Sequence, residues 1–158
     1  MKSTVSHISG ASIEHAMVIT NFITAVSKQI TDKNCRVFAD SVEYVLPEND
    51  YVSITPDASI NCNIHARTEE AFTRAPKFTM IVTEGEQQAS ILEQLNLYCK
   101  IGVAECWVLD WRNKQVDIYG LKNGVELRCT VTDQNKEELQ MISFPEWKIA
   151  FDELFDFE

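Results

Sequence analysis

The sequence predicts an α/β domain: a mixed central β-sheet flanked by helices, with additional hairpin strands toward the C-terminal end. Three observations carry this. Ile19, Phe22, Ile23, Val26 and Ile30 recur at the spacing of one helical face. The apolar runs Phe78–Thr83 and Val103–Asp110 bracket a second helical pattern, the strand–helix–strand order that makes a parallel pair. Asn123-Gly124 then separates two alternating segments, which is hairpin chemistry. With 158 residues, 45% hydrophobic and 24% charged, the chain fits a single domain over 1–158 with one core.

Each element has its own signal. Ser12 can cap a first helix over 12–31, with Glu14 placed to favour the helix dipole. Phe38, Val42, Tyr44 and Leu46 share one parity, which reads as a strand over Cys35–Leu46. Pro47-Glu48-Asn49-Asp50 is turn chemistry, so Tyr51–Thr55 is expected to pair back. Ala58, Ile60, Cys62 and Ile64 alternate with Ser59, Asn61 and Asn63, a strand with one polar face. Residues 65–77 are rich in charge and threonine and read as a loop. Phe78–Thr83 follows as a central buried strand. A crossover helix over Glu86–Lys100 turns Ile91, Leu92, Leu95 and Tyr98 inward, with Gly102 at its C-cap. Val103–Asp110 is the parallel partner, and the crossover is expected to be right-handed. Val116–Leu121 and Val125–Val131 form the Asn-Gly hairpin, and a strand near Gln140–Phe144 precedes a short acidic helix near 150–156.

Charge and cysteines narrow the function classes. Fourteen basic against 24 acidic residues give a formal charge of −10, which does not attract nucleic acid to the chain as a whole. No apolar run approaches the roughly 20 residues of a membrane span, and the opening Met1–His7 does not read as a signal peptide. Cys35, Cys62, Cys99, Cys106 and Cys129 form no CxxC pair. They read as reduced thiols of a cytoplasmic protein. GxGxxG, P-loop and GxSxG motifs are absent, which weakens nucleotide-binding and hydrolase readings. His7, His15 and His65 are scattered, and His15 has no metal-spaced neighbour in sequence, so a structural or exposed role is expected for it. The tail, with Phe151, Leu154, Phe155 and Phe157 among four acids, reads as an amphipathic cap with aromatic surface enough for a subunit contact.

One pattern points to chemistry. Pro56-Asp57 opens a strand, and the strand about twenty residues later ends at Thr83-Glu84. Oxygen ligands on adjacent strand ends are what a divalent-metal nuclease needs, together with a lysine that polarises the scissile phosphate. The plainer alternatives are an Asp57 that closes a turn on the backbone and a Glu84 that opens the crossover helix at its positive end.

Three segments give this pattern a family. Ser12-Ile13-Glu14-His15 resembles the Ser-x-x-His opening of the first helix in the Uma-type restriction-endonuclease-like proteins, within the PD-(D/E)XK nuclease superfamily. Ile54–Ile60, with Pro56-Asp57 inside it, resembles their Pro-Asp strand. Tyr98–Asp110 resembles their Tyr-x-x-x-Gly-Val-x-Glu-Tyr-Trp-x-x-Asp stretch. The resemblance implies a restriction-endonuclease-like fold and Mg²⁺- or Mn²⁺-dependent cleavage of DNA. It also implies a strand glutamate five residues after a proline and a lysine four residues before the tyrosine. Here Pro76 leads to Ile81, and Tyr98 leads back to Gln94. Asp57 alone stands in place; Glu84 lies three residues beyond the glutamate position, and losing the lysine cation costs about 10²–10³ in rate.

Three hypotheses follow. One is a nuclease-fold protein without chemistry, serving as a binding or assembly module and expected to form a homo-oligomer. A second is an active endonuclease using Asp57 and Glu84 as metal ligands, with Gln94 in the lysine position. A third is an unrelated acidic partner-binding domain. Cofactors are Mg²⁺ or Mn²⁺ if the chain is active and none otherwise. DNA is the partner implied by the resemblance, against the net charge, and no membrane is expected.

Overall fold

The computed structural model describes residues 12–84 and 87–158. Helix α1 (Ile13–Ser27) starts where Ser12 caps it, the hydroxyl accepting from the His15 amide at 3.0 Å. It stops four residues short of the expected end. Beyond it the Gln29 side chain donates to the carbonyls of Ala25 and Lys148 at 3.1 and 2.7 Å, turning the chain into a tertiary contact in place of another helical turn.

The expected strand over Cys35–Leu46 divides into β1 (Arg36–Phe38) and β2 (Tyr44–Leu46). Parity alone spans both, yet they belong to different sheets, because Ala39-Asp40-Ser41 turns the chain between them. β2 pairs with β3 (Val52–Ile54) across the 3₁₀ turn Pro47–Asn49. β1 pairs antiparallel with β4 (Ala58–Asn61), and β4 with β5 (Phe78–Thr83). Helix α2 (Gln88–Ile101) carries the chain over to β6 (Glu105–Asp110), which lies parallel to β5. Gly102 ends α2 at φ +100, the left-handed geometry that suits a glycine C-cap. β7 (Gln115–Gly120) and β8 (Glu126–Thr132) complete a six-stranded mixed sheet in the order β1-β4-β5-β6-β7-β8. A second small sheet pairs β9 (Leu139–Gln140) with β10 (Lys148–Ile149) and leads into α3 (Phe151–Leu154). The strand expected at 140–144 thus shrinks to two residues, and the acidic helix to four.

The single expected core resolves into two hydrophobic clusters, one on each face of the sheet. α1, α3 and the small sheet cover one face, packing Val18, Phe22 and Leu154 on Phe78, Met80, Val82, Trp107 and Leu109. Phe22 stacks on Phe78 at 5.2 Å, and both meet the edge of Trp107, an arrangement that adds to the burial of three large rings. α2 and the β2–β3 hairpin cover the other face, packing Tyr44, Leu46, Ile91, Leu95 and Tyr98 on Ile81 and Val108. The polar face of β4 lies under this second layer. Ser59, Thr79 and Cys106 stand opposite one another in register across β4, β5 and β6, and Ser59 bonds the Tyr44 hydroxyl at 2.8 Å.

The start of β6 holds the C-terminal segment. Glu105 is fully buried and its carboxylate accepts from Trp107 Nε1 at 2.8 Å, the Ile142 amide at 2.9 Å, and the Ser143 amide and hydroxyl at 2.8 and 2.6 Å. Asn21 on α1 donates to the carbonyls of Leu154 and Asp156 at 3.1 and 2.9 Å. Phe151, Leu154 and Phe155 are consequently buried inside this chain, and the tail retains little apolar surface for a subunit contact.

The all-thiol reading of the cysteines is corrected. Cys35 and Cys62 form a disulfide, because the β1–β4 register that sets Arg36 opposite Asn61 brings the next pair of residues face to face. Cys99, Cys106 and Cys129 remain thiols. Among the described residues, no helix is long and apolar enough to cross a membrane.

Candidate functional site

The site lies at the sheet end where β5 and β6 finish and β4 begins. Ala58 pairs with Met80, so Asp57 stands one position further along, opposite Ile81. The Asp57 amide donates to Met80 O at 3.2 Å, and the Val82 amide donates to Asp57 Oδ2 at 2.8 Å. The side-chain-to-backbone bond weighed for Asp57 therefore exists, but it crosses to the next strand and locks one carboxylate oxygen there.

Glu84 follows β5 directly. Strand alternation places it on the parity of Met80 and Val82, toward the α1 face, whereas Asp57 shares the parity of Ile81 on the α2 face. The imidazole of His15 connects the two. Its Nδ1 lies 2.7 Å from Glu84 Oε2 and its Nε2 lies 3.7 Å from Asp57 Oδ1. The ring is mostly buried, at 14% side-chain exposure, against 29% for Asp57 and 20% for Glu84. The Nδ1 contact is not aligned as a hydrogen bond. The Ser12 cap fixes the backbone of His15 in the first turn of α1, where the positive end of the helix favours nearby carboxylates.

His15 is thus the residue that sequence spacing missed. It is remote from Asp57 and Glu84 in the chain, and only the crossing of α1 over the sheet end unites the three. The signal available was its place in the Ser-x-x-His opening.

Gln94 is not brought into this contact set. It sits half-buried on α2, on the ridge between Ile91 and Tyr98, and no hydrogen bond among the described residues joins it to Asp57 or His15. Tyr98 lies nearer the site. Burial pushes its hydroxyl well above the usual range, with further upward pushes from Cys106 and Asp57. Burial likewise raises the Cys106 thiol to about 12, against a lowering bond to Thr79. Both groups are neutral at physiological pH and supply no cation.

The divalent ion implied by the resemblance needs a second oxygen ligand facing Asp57. Ile81 occupies that place, 4% exposed and packed in the α2-side cluster. Asp57 and Glu84 approach different nitrogens of the imidazole ring, at 3.7 and 2.7 Å. No group of three or more His, Cys, Asp or Glu side chains among the described residues is arranged to hold a metal. Among the described residues, the ligand set such an ion needs is not assembled. Around the site, a cleft lined by Thr83, Gln88, Ile91, Asp110, Arg112 and Asp117 adds more acid than base.

Comparison with known proteins agrees with the fold. The Uma2 family profile, described as "Putative restriction endonuclease", matches residues 4–152. A crystal structure of a putative nuclease belonging to DUF820 from Anabaena variabilis ATCC 29413 superposes with a TM-score of 0.68 at 18% sequence identity, covering 92% of this chain and 82% of that one. No curated protein matches. With nearly all of its sequence inside the family match, and with the mixed sheet and flanking helices of a restriction-endonuclease-like fold, the chain belongs to the Uma2 family.

Proposed function

We propose that this protein is a restriction-endonuclease-like domain that has lost metal-dependent phosphodiester cleavage and acts as a binding or assembly module. One observation carries the reading: the residue facing Asp57 across the sheet is the buried hydrocarbon Ile81. A cation held by Asp57 alone would lack the second carboxylate that fixes it, and Gln94 in place of lysine leaves that helix position without a cation for the developing charge on a phosphate. The chain's −10 charge also opposes DNA, which favours a protein partner, a second copy of this chain among them. The cytoplasmic location expected from the sequence has the Cys35–Cys62 disulfide against it, since such bonds are rare where glutathione keeps thiols reduced.

The test is incubation of plasmid DNA with the protein in Mg²⁺ and in Mn²⁺, beside calorimetric titration of Mn²⁺ into wild type and Asp57→Ala. The expected outcome is intact plasmid and equal, negligible heats. Cleavage that disappears in Asp57→Ala overturns the reading. It would support the second one, an endonuclease using Asp57 and Glu84, which the shared approach of both carboxylates to His15 favours.

A further inference from the structure

We infer that the groove between the β1–β2 connection and the loop over 67–72 is a docking site for an extended, cationic segment of a partner protein, one that alternates basic with apolar side chains. This deepens the binding-module reading above and rests on it; neither Asp57 nor Glu84 lines the groove. The cavity measures about 1020 Å³, at the upper end of the roughly 300–1,000 Å³ that small ligands fill, which suits a stretch of polypeptide. Phe38, Val42 and Phe72 give it an apolar floor. The Phe38 and Phe72 rings lie 5.3 Å apart, and Tyr44 backs Phe72 at 5.4 Å. The Phe72 backbone is fastened to the chain around β2: its amide donates to Glu43 O at 3.0 Å, and its carbonyl accepts from the Val45 amide at 2.8 Å. Phe38 and Val42 are only half-buried, so an occupant removes apolar surface from water.

The rim selects the occupant by charge. Glu43, Glu69 and Glu70 line the groove against one base, Arg67, and all four are exposed. Among the described residues, none of these three carboxylates enters an ion pair. Two of them are set in place in advance. The Thr68 hydroxyl accepts from the Glu70 and Ala71 amides at 3.2 and 3.1 Å, and the Thr68 amide donates to Ala71 O at 2.8 Å. Glu69 and Glu70 therefore ride on a closed turn, and less ordering is left for binding to bring about. Acids around an apolar trough focus negative potential into it. Successive side chains of an extended segment point to opposite sides. Its apolar residues can thus face the floor while its arginines or lysines meet the rim. The same rim repels phosphate, which disfavours nucleic acid as the occupant.

The experiment is calorimetric titration of the full chain with an end-capped octapeptide of alternating arginine and leucine, beside the same peptide with glutamate in place of arginine. The protein is tested as wild type, as Glu69→Gln/Glu70→Gln, as Val42→Arg, and as Glu137→Gln/Glu138→Gln, whose two exposed acids lie outside the groove. Circular dichroism checks each fold, and sedimentation reads the oligomeric state. The expected result is binding of the arginine peptide alone, weakened about fivefold in Glu69→Gln/Glu70→Gln and unchanged in Glu137→Gln/Glu138→Gln, and lost in Val42→Arg. The glutamine pairs keep the test open if Val42→Arg does not fold. No binding by wild type, equal weakening in both glutamine pairs, or equal binding of the glutamate peptide overturns the inference and leaves the proposed function standing. A wild-type dimer that Val42→Arg splits also overturns it, giving the groove to a second copy of the chain. Plasmid cleavage that disappears in Asp57→Ala overturns the proposed function, whatever the peptides do.

Discussion

The two ends of β6 and its neighbours carry two acidic centres of opposite construction. Glu105, at the start of β6, is fully buried and accepts four hydrogen bonds from its own strand and from the segment before β10. Asp57 and Glu84, at the far end, are only mostly buried and meet one imidazole between them. The first is a closed fastener, with both carboxylate oxygens engaged by donors. The second holds charge near the surface, the condition for a site. The difference teaches that burial alone does not mark function here. Glu105 is the most buried acid and the most structural; the partly exposed pair lies where a ligand could reach it.

Variants can break or sharpen this contrast. Glu105→Ala leaves the Trp107 indole, two amides and a hydroxyl without an acceptor, so a loss of about 3–5 kcal/mol is expected in urea unfolding. A loss under about 1 kcal/mol would dissolve the contrast. Alkaline pH comes next. Burial holds the Tyr44 hydroxyl up at about 12, against the lowering bond to Ser59, so the unfolded chain releases its proton first, near pH 10. The contribution of Tyr44 is thus steady below about pH 10 and falls by on the order of 2–3 kcal/mol as pH rises toward 12, on top of the loss that Cys106 begins near pH 9. Thermal melts across that range read it, and Tyr44→Phe should flatten the slope. Asp57→Ala removes a carboxylate that is 29% exposed and accepts from the Val82 amide, for a loss of about 1 kcal/mol. A cost equal to that of Glu105→Ala would make Asp57 a fastener too. Ser12→Ala removes the cap beneath His15 and should cost about 0.5–1 kcal/mol, measured by the same unfolding series.

Much of this architecture was legible in the sequence, and the reasons are local. The parallel β5–β6 pair announced itself through two unbroken apolar runs around an amphipathic helix, and Asn123-Gly124 marked the β7–β8 turn at a glycine with φ +97. What failed was non-local. Parity could not tell that β1 and β2 belong to different sheets, since period two survives a turn. Cysteine spacing could not show that Cys35 and Cys62 face each other, because that depends on the β1–β4 register. At the site, spacing found Asp57 and Glu84, and the family resemblance marked the departures at Ile81 and Gln94. It could not show that His15 approaches both Asp57 and Glu84, because that depends on how α1 crosses the sheet end.

The disulfide has a consequence for handling the protein. Cys35 and Cys62 are 27 residues apart, and the covalent circle they close contains β1, the β2–β3 hairpin, Asp57 and β4. A protease that nicks the exposed tip around Asp50 and Tyr51 therefore yields two polypeptides that still migrate as one band on a gel, until a thiol reagent lets them part.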